Sequence, residues 1–351
     1  MKKSIIIAIS ALFSLAGSAC GNKANAETGT DTVADSTVNV ACDDELLPYV
    51  SKLESIATSL CCGSEELGDG MYEVYRTALT LDEKIDLNAV GYTLRTIGDE
   101  QYLIIGGLKD RDYNTYGSKA SPIINLYRQD GDEIKLILSG YYFRDEWYLT
   151  KNDELLNVGA VSASTEITAL YDIRDGELVC NHFWMRYTDL HTEGYTYYHS
   201  YEPMYEPKEG ATKLDWTEQD YRNNIESHME QAVEIPLTPI STLRPLEATQ
   251  DGNKVTLTTS ATVYNLKVLA LSDGDFSDGI PKFTERTIKT KAVLNPDDSL
   301  TVDMAFNGDT PELGVEFVDA LGRTVKMTIT ISGDDGSLVM YQYHCTDLNY
   351  E

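Results

Sequence analysis

The sequence predicts an α+β chain that is mainly β, with N-terminal helices, an antiparallel-sheet domain and a second, all-β domain. Three observations carry this. Apolar residues recur at helical spacing only in two short regions, near residues 46–79 and again from 217. From Tyr92 onward the apolar period is close to two, as in a strand with one face buried. Asx-Gly pairs such as Asp130-Gly131, Asp175-Gly176, Asp251-Gly252 and Asp335-Gly336 interrupt the strand-like runs, and these are strong short hairpin signals.

The chain opens with an export signal. Lys2-Lys3 is followed by the uncharged apolar stretch 4–19, which is shorter than the roughly 18 or more residues of a spanning helix. Ser18-Ala19-Cys20 fits a bacterial lipobox, although Gly17 stands where Leu is usual. Cleavage before Cys20 makes a lipoprotein attached to the membrane through a lipid on Cys20. The alternative cut, after the A-x-A site ending at Ala26, gives a secreted protein, with Lys23 an awkward charge just before it. Residues 1–19 are thus read as a lipoprotein signal peptide and the polar, aromatic-free residues 20–42 as a flexible tether. The expected address is the cell envelope, outside the cytoplasm.

Residues 43–216 are read as the α+β antiparallel-sheet domain. Asp43-Asp44 is placed to cap a first helix carrying Leu46, Leu47, Val50, Leu53, Ile56, Ala57 and Leu60, with Pro48 in its first turns. A second helix over about 71–79 aligns Met71, Val74, Tyr75, Ala78 and Leu79 on one face. The apolar burst at 101–108 suits a buried central strand. Three hairpins follow, at 124–138, 146–159 and 167–183, too few to close a propeller and so expected to form one curled sheet. Residues 194–216 are aromatic, contain Pro203 and Pro207, and read as irregular. A connecting helix occupies 217–235, opened by Thr217-Glu218-Gln219-Asp220, a capping box with Asp in place of Glu.

Residues 236–351 read as strand throughout. Runs at 254–271, 284–293, 299–306, 313–319, 324–331 and 337–343 alternate or are β-branched, a count that fits an immunoglobulin-like β-sandwich, without its Cys…Trp…Cys pattern. Three passages carry a wider likeness: 124–180 with Gly140-Tyr141-Tyr142 and Arg144, the helix start at 215–221, and 314–338. On them the chain resembles a broad group of uncharacterised bacterial cell-envelope lipoproteins, in which a mixed sheet domain precedes a β-sandwich. The resemblance implies architecture and address, and brings no catalytic residue.

Composition narrows the function. A net charge of −29, from 57 acidic against 28 basic residues, repels phosphate backbones and argues against nucleic acid as a partner. Of six cysteines, Cys61 and Cys62 are adjacent and poorly placed to bond each other, although either can reach Cys42. Cys180 and Cys345 read as free thiols, and no C-x-x-C zinc spacing occurs. His182, His191 and His199 do not match H-E-x-x-H, and residues 273–284 lack the Gly and Glu of a calcium loop, so no metal or other cofactor is expected. No nucleophile elbow or Walker-type loop is present, and no catalytic residue is assigned.

The binding candidates lie in the aromatic stretch: Trp184, Tyr195, Tyr197 and Tyr201. The last three fall on one face of a strand, with Tyr198 on the other. Aromatic faces beside carboxylates suit a glycan or a protein ligand. The expected function is therefore a non-catalytic binding or adhesion module. Its alternatives are a carboxylate-dependent hydrolase of glycans or cell-wall material and a structural accessory subunit of an envelope complex. Cys20→Ala is expected to abolish incorporation of radiolabelled palmitate. A mature N-terminus at Glu27 would instead assign the cut after Ala26.

Overall fold

The computed structural model describes residues 44–62, 71–80, 84–108, 120–140, 145–188, 194–272, 283–303, 313–331 and 336–343. The signal peptide, the tether, Cys20, Cys42, His191, Cys345, residues 141–144 and the loop 273–280 lie outside these residues. Among the described residues no helix is long and apolar enough to cross a membrane.

The chain enters through a 3-10 turn, Leu47–Tyr49, and then helix α1, Val50–Cys62. The helix proper begins six residues after Asp44 because Pro48 sits in the 3-10 turn, where Leu46 takes the N-cap position without a side-chain cap. Tyr49 fixes the turn instead, its hydroxyl donating to the Gln101 carbonyl at 2.9 Å and accepting from the Gln129 amide at 3.2 Å. Helix α2, Met71–Ala78, buries Met71, Val74 and Ala78, the face its spacing predicts.

One long antiparallel sheet follows. Its strands are β1 (Val90–Ile97), β2 (Glu100–Gly107), β3 (Ile123–Asp130), β4 (Glu133–Ser139), β5 (Asp145–Leu149), β6 (Leu155–Ser162), β7 (Thr165–Arg174), β8 (Glu177–Tyr187), β9 (Thr196–Ser200), β10 (Thr212–Leu214) and β11 (Thr238–Pro239). Their order is β10-β9-β8-β7-β6-β5-β3-β2-β1-β11, with β4 paired to β3 beside this path. The three sequence hairpins thus join one sheet, as expected. Asp175 and Gly176, at φ of 53° and 78°, make the two-residue turn between β7 and β8. Residues 194–216 depart from the irregular reading. Tyr197 and Tyr198 face Leu214 and Lys213 across a short β9–β10 ladder, and the two prolines lie in the connection between these strands.

Both faces of the sheet are buried. The inner face forms one cluster from Ile104 on β2 through Leu126, Trp147, Leu155 and Ala169 to Met185 on β8, and β4 leans against β8, so the sheet curls on itself. The outer face is covered in two places. Over β1–β3, α1 and α2 place Leu53, Ile56, Leu60 and Val74 against Leu103, Ile105 and Tyr127. Over β5–β9, helix α3 (Glu218–Met229) lays Tyr221, Ile225 and Met229 on Tyr148, Leu156, Val158 and Leu170. Each fully buried Leu or Ile contributes about 1.5–3 kcal/mol. The capping box is present: the Thr217 hydroxyl accepts from the Asp220 amide at 3.2 Å, and the Thr217 amide donates to the Asp220 carboxylate at 2.8 Å.

After a second 3-10 turn, Ile240–Leu243, eight described strands build two further antiparallel sheets. They are β12 (Leu246–Asp251), β13 (Lys254–Thr259), β14 (Val263–Ser272), β15 (Thr284–Leu294), β16 (Leu300–Asp303), β17 (Leu313–Val318), β18 (Thr324–Ile331) and β19 (Leu338–Gln342). The orders are β12-β13-β16 and β15-β14-β17-β18-β19. Val255 and Leu257 of the first sheet share one core with Val263, Leu266, Val315, Phe317 and Ile329 of the second, a sandwich-like packing. Among the described cysteines, Cys61 and Cys180 are free thiols. Phe317→Ala, in the middle of this core and fully buried, is expected to cost about 3–5 kcal/mol, measured by urea unfolding.

Candidate functional site

The candidate site is a strip on the outer face of β8 and β9, beside α3. Cross-strand register sets it: Trp184 lies opposite His199 and Arg186 opposite Tyr197, while Phe183 lies opposite Ser200 and Met185 opposite Tyr198. Alternation therefore sends His182, Trp184, Arg186, Tyr197 and His199 outward and sends Phe183, Met185 and Tyr198 toward the inner core. The sequence reading that Tyr198 opposes Tyr195 and Tyr197 agrees with this register.

The four residues singled out in the sequence differ in accessibility. Tyr201 is 67% exposed and Tyr195 is 51% exposed. Trp184 is half-buried, packed between the sheet and the last turn of α3, where its ring lies 4.8 Å from that of His228. Tyr197 is only 5% exposed. Its ring packs on Tyr221 of α3 at 5.7 Å, and its hydroxyl donates to Glu218 Oε2 at 3.0 Å. The reason is α3, which lies over the middle of the strip and leaves both ends open. Tyr197 is thus a support for the strip, with no open ring face for a ligand.

At one end the rings make a continuous cluster. His182 stacks on Trp184 with centroids 5.3 Å apart, and Tyr201 meets His199 edge-on at 4.9 Å. His182 Nδ1 and His199 Nε2 are 3.2 Å apart, a hydrogen bond in which one ring nitrogen donates and the other accepts. His199 and His228 are both held below the ordinary histidine value, first by burial and then by the charge of His182. Among the described residues no group of three metal-ligating side chains forms, and His191, the third histidine of the sequence cluster, lies outside them.

At the other end Arg186 organises the charges. Its guanidinium pairs with Glu166 of β7 and, at 2.7 Å, with Glu218 of α3, and it lies 4.3 Å from the Tyr195 ring centroid. Glu218 also accepts from Arg222 at 3.1 Å. Burial pushes the Glu218 carboxyl up, but the hydrogen bonds from Arg186, Arg222 and Tyr197 outweigh it and hold the group below the usual carboxylate range. Burial and then the bond to Glu218 push the Tyr197 hydroxyl up to about 12. A recess of about 300 Å³ opens here, lined by Glu166, Arg186, Glu218, Tyr221, Arg222 and Glu226. The Glu166–Arg186–Glu218 bridge commits two carboxylates to one cation, whereas glycosidase chemistry needs one carboxyl group kept protonated as a general acid.

Sequence reasoning passed over Arg186, His228 and Glu218. The signal for Arg186 was present, since it follows His182 and Trp184 at steps of two along one strand. Nothing local marks His228, which reaches Trp184 only through the docking of α3.

Comparison of the chain with models of known protein families and with curated proteins gives no match.

Because His199 and His228 prefer to stay neutral in the fold, the unfolded chain takes up their protons first as the pH falls. Their contribution is present above about 6.5 and is lost as the pH falls below that. His228→Gln, which keeps a partner for Asn224, is expected to flatten part of the loss of melting temperature between pH 7.5 and pH 5. An unchanged slope would show that His228 is not the group responsible.

Proposed function

We propose that this chain is an extracytoplasmic binding module, held at the cell envelope by a lipid on Cys20, and that its ligand face is the open ends of the β8–β9 strip. The ligand is a glycan or a protein, engaged without catalysis. The observation that carries this reading is the pair of exposed rings at the two ends of the strip, Tyr201 packed on the half-buried His182 and His199 and Tyr195 held over the Arg186 guanidinium. Rings fixed in this way lose little side-chain entropy when a sugar face or an apolar side chain lies on them. The hydrogen-bonding groups needed to orient such a ligand, Arg186 and Glu218, line the adjoining recess.

The address rests on residues 1–20 and on the likeness to cell-envelope lipoproteins. For the C-terminal strands we favour an immunoglobulin-like sandwich. The strand order supports it, with β12-β13-β16 facing β15-β14-β17-β18 in the A-B-E and C′-C-F-G arrangement and β19 added at the edge. In this reading the sandwich is a spacer and the curled sheet carries the binding face.

A glycan and peptide array tests the function. Trp184→Ala and the double variant Tyr195→Ala/Tyr201→Ala are expected to lose at least tenfold in affinity for the ligand the array identifies. The double variant should melt within about 2 °C of the parent, because both rings are more than half exposed and truncating them opens no cavity in the core. Full binding by the double variant would remove the strip as the ligand face.

A further inference from the structure

The residues that join α1 to the C-terminal strands form a second cluster of charge, far from the aromatic strip in sequence. Arg244 follows the 3-10 turn Ile240–Leu243, and its side chain is 1% exposed. Its guanidinium donates to Glu54 of α1 at 2.7 Å, to the Leu243 carbonyl at 2.6 Å and to Gln342 of β19 at 3.2 Å, and it lies 3.5 Å from Asp319 Oδ2. Asp319, in the turn between β17 and β18, is fully buried. Its Oδ1 accepts the backbone amides of Leu321 and Arg323, each at 2.9 Å. Thr58 of α1 donates to Gln342 at 3.1 Å, closing the ring of contacts.

Two oxygens remain. Glu54 Oε1 and Asp319 Oδ2 are both buried, and among the described residues no N–H or O–H group donates to either. The two carboxyl groups converge instead on one guanidinium, Glu54 Oε2 at 2.7 Å and Asp319 Oδ2 at 3.5 Å from Arg244. Two ionised carboxylates are acceptors only, so these two oxygens can satisfy each other only if one of the acids holds a proton. Charge leads to the same result, because the fully buried Asp319 and the partly buried Glu54 face one buried cation, and full ionisation would leave a negative charge poorly compensated away from water. We propose that Glu54 and Asp319 hold a single shared proton, and that this proton latches α1 onto the C-terminal strands, so that the junction weakens as the medium turns alkaline.

The remaining groups around the pair do not supply that proton. Gln342 and Thr58 are neutral, and Arg323, from the same turn as Asp319, is exposed. Burial pushes the Cys61 thiol of α1 up to about 11, so it too is uncharged near neutral pH. Burial, and then the neighbouring Glu54 carboxylate, push Asp319 up to about 7. Burial also acts on Glu54, but Asp319 and Arg244 together outweigh it and hold Glu54 below its ordinary value. Glu54 also has the shorter contact with Arg244, and Asp319 is the more deeply buried acid, so the proton sits on Asp319. Stability from a carboxyl raised in the fold is fully present below its unfolded value of 3.8 and declines until the pH passes about 7. Glu54 has the opposite sign and acts only below its ordinary value, outside the window from pH 5 to pH 8.

Asp319→Asn tests the latch in the full chain. The amide keeps the acceptor for Leu321 and Arg323 and replaces the shared proton with a permanent N–H to Glu54. Urea unfolding of the parent and the variant at pH 5 and pH 8 reads the ratio of their folding constants, in which the histidine contributions cancel. The ratio is expected to move at least tenfold in favour of the variant at pH 8, since each pH unit of such linkage is worth about tenfold. An equal ratio at both pH values would overturn the proposal. Should the variant fail to fold, carbon-13 NMR of the parent's side-chain carboxyls decides. A resonance of Asp319 titrating close to neutrality supports the latch, and one titrating near 4 refutes it.

Discussion

A long antiparallel sheet with apolar side chains on both faces has to be covered twice, and the arrangement of this molecule follows from that constraint. Strand β2 makes it plain, since Tyr102, Leu103, Ile104 and Ile105 are all buried although successive side chains point to opposite faces. The inner face is closed by the curl of the sheet and by β4 against β8. The outer face is closed by α1 and α2 at one end and α3 at the other. Helices cover a sheet in patches, and the margin of the α3 patch is where aromatic side chains stay partly open.

That margin explains the candidate site. Tyr197 and Tyr221 are spent on holding α3 down, and the Glu218–Arg186–Glu166 bridge fixes the first turn of the same helix. What projects beyond the helix is a set of rings already packed on one another. Their rigidity is the property a binding face needs. The same packing argues against a catalytic role for the neighbouring carboxylates: Glu166 and Glu218 are both engaged with Arg186, and Glu218 is held below the usual carboxylate range.

The junction around Arg244 follows a different logic. The covering helix α1 also contacts the C-terminal strands, and that contact is polar: one cation, two acids and an amide, nearly all out of water. Burying such a group costs more than burying leucines of the same volume. In return the contact is specific, and it responds to protons in a way that an apolar contact cannot.

Much of the fold was legible in the sequence. Period, turn residues and caps are local, so the hairpins at Asp130-Gly131 and Asp175-Gly176 and the Thr217–Asp220 box could be read from neighbours in the chain. The start of α1 was misplaced because Pro48 supports a 3-10 turn as readily as a helix. Of the candidate residues, the sequence determined which side chains share a face of β9. Only the tertiary structure decided which of them are open, because exposure depends on where α3 docks. It alone brought His228 to Trp184, Glu218 to Arg186, and both Glu54 and Asp319 to Arg244. The last pair is separated by most of the chain, and no local pattern encodes a contact that exists only once two distant elements are packed together.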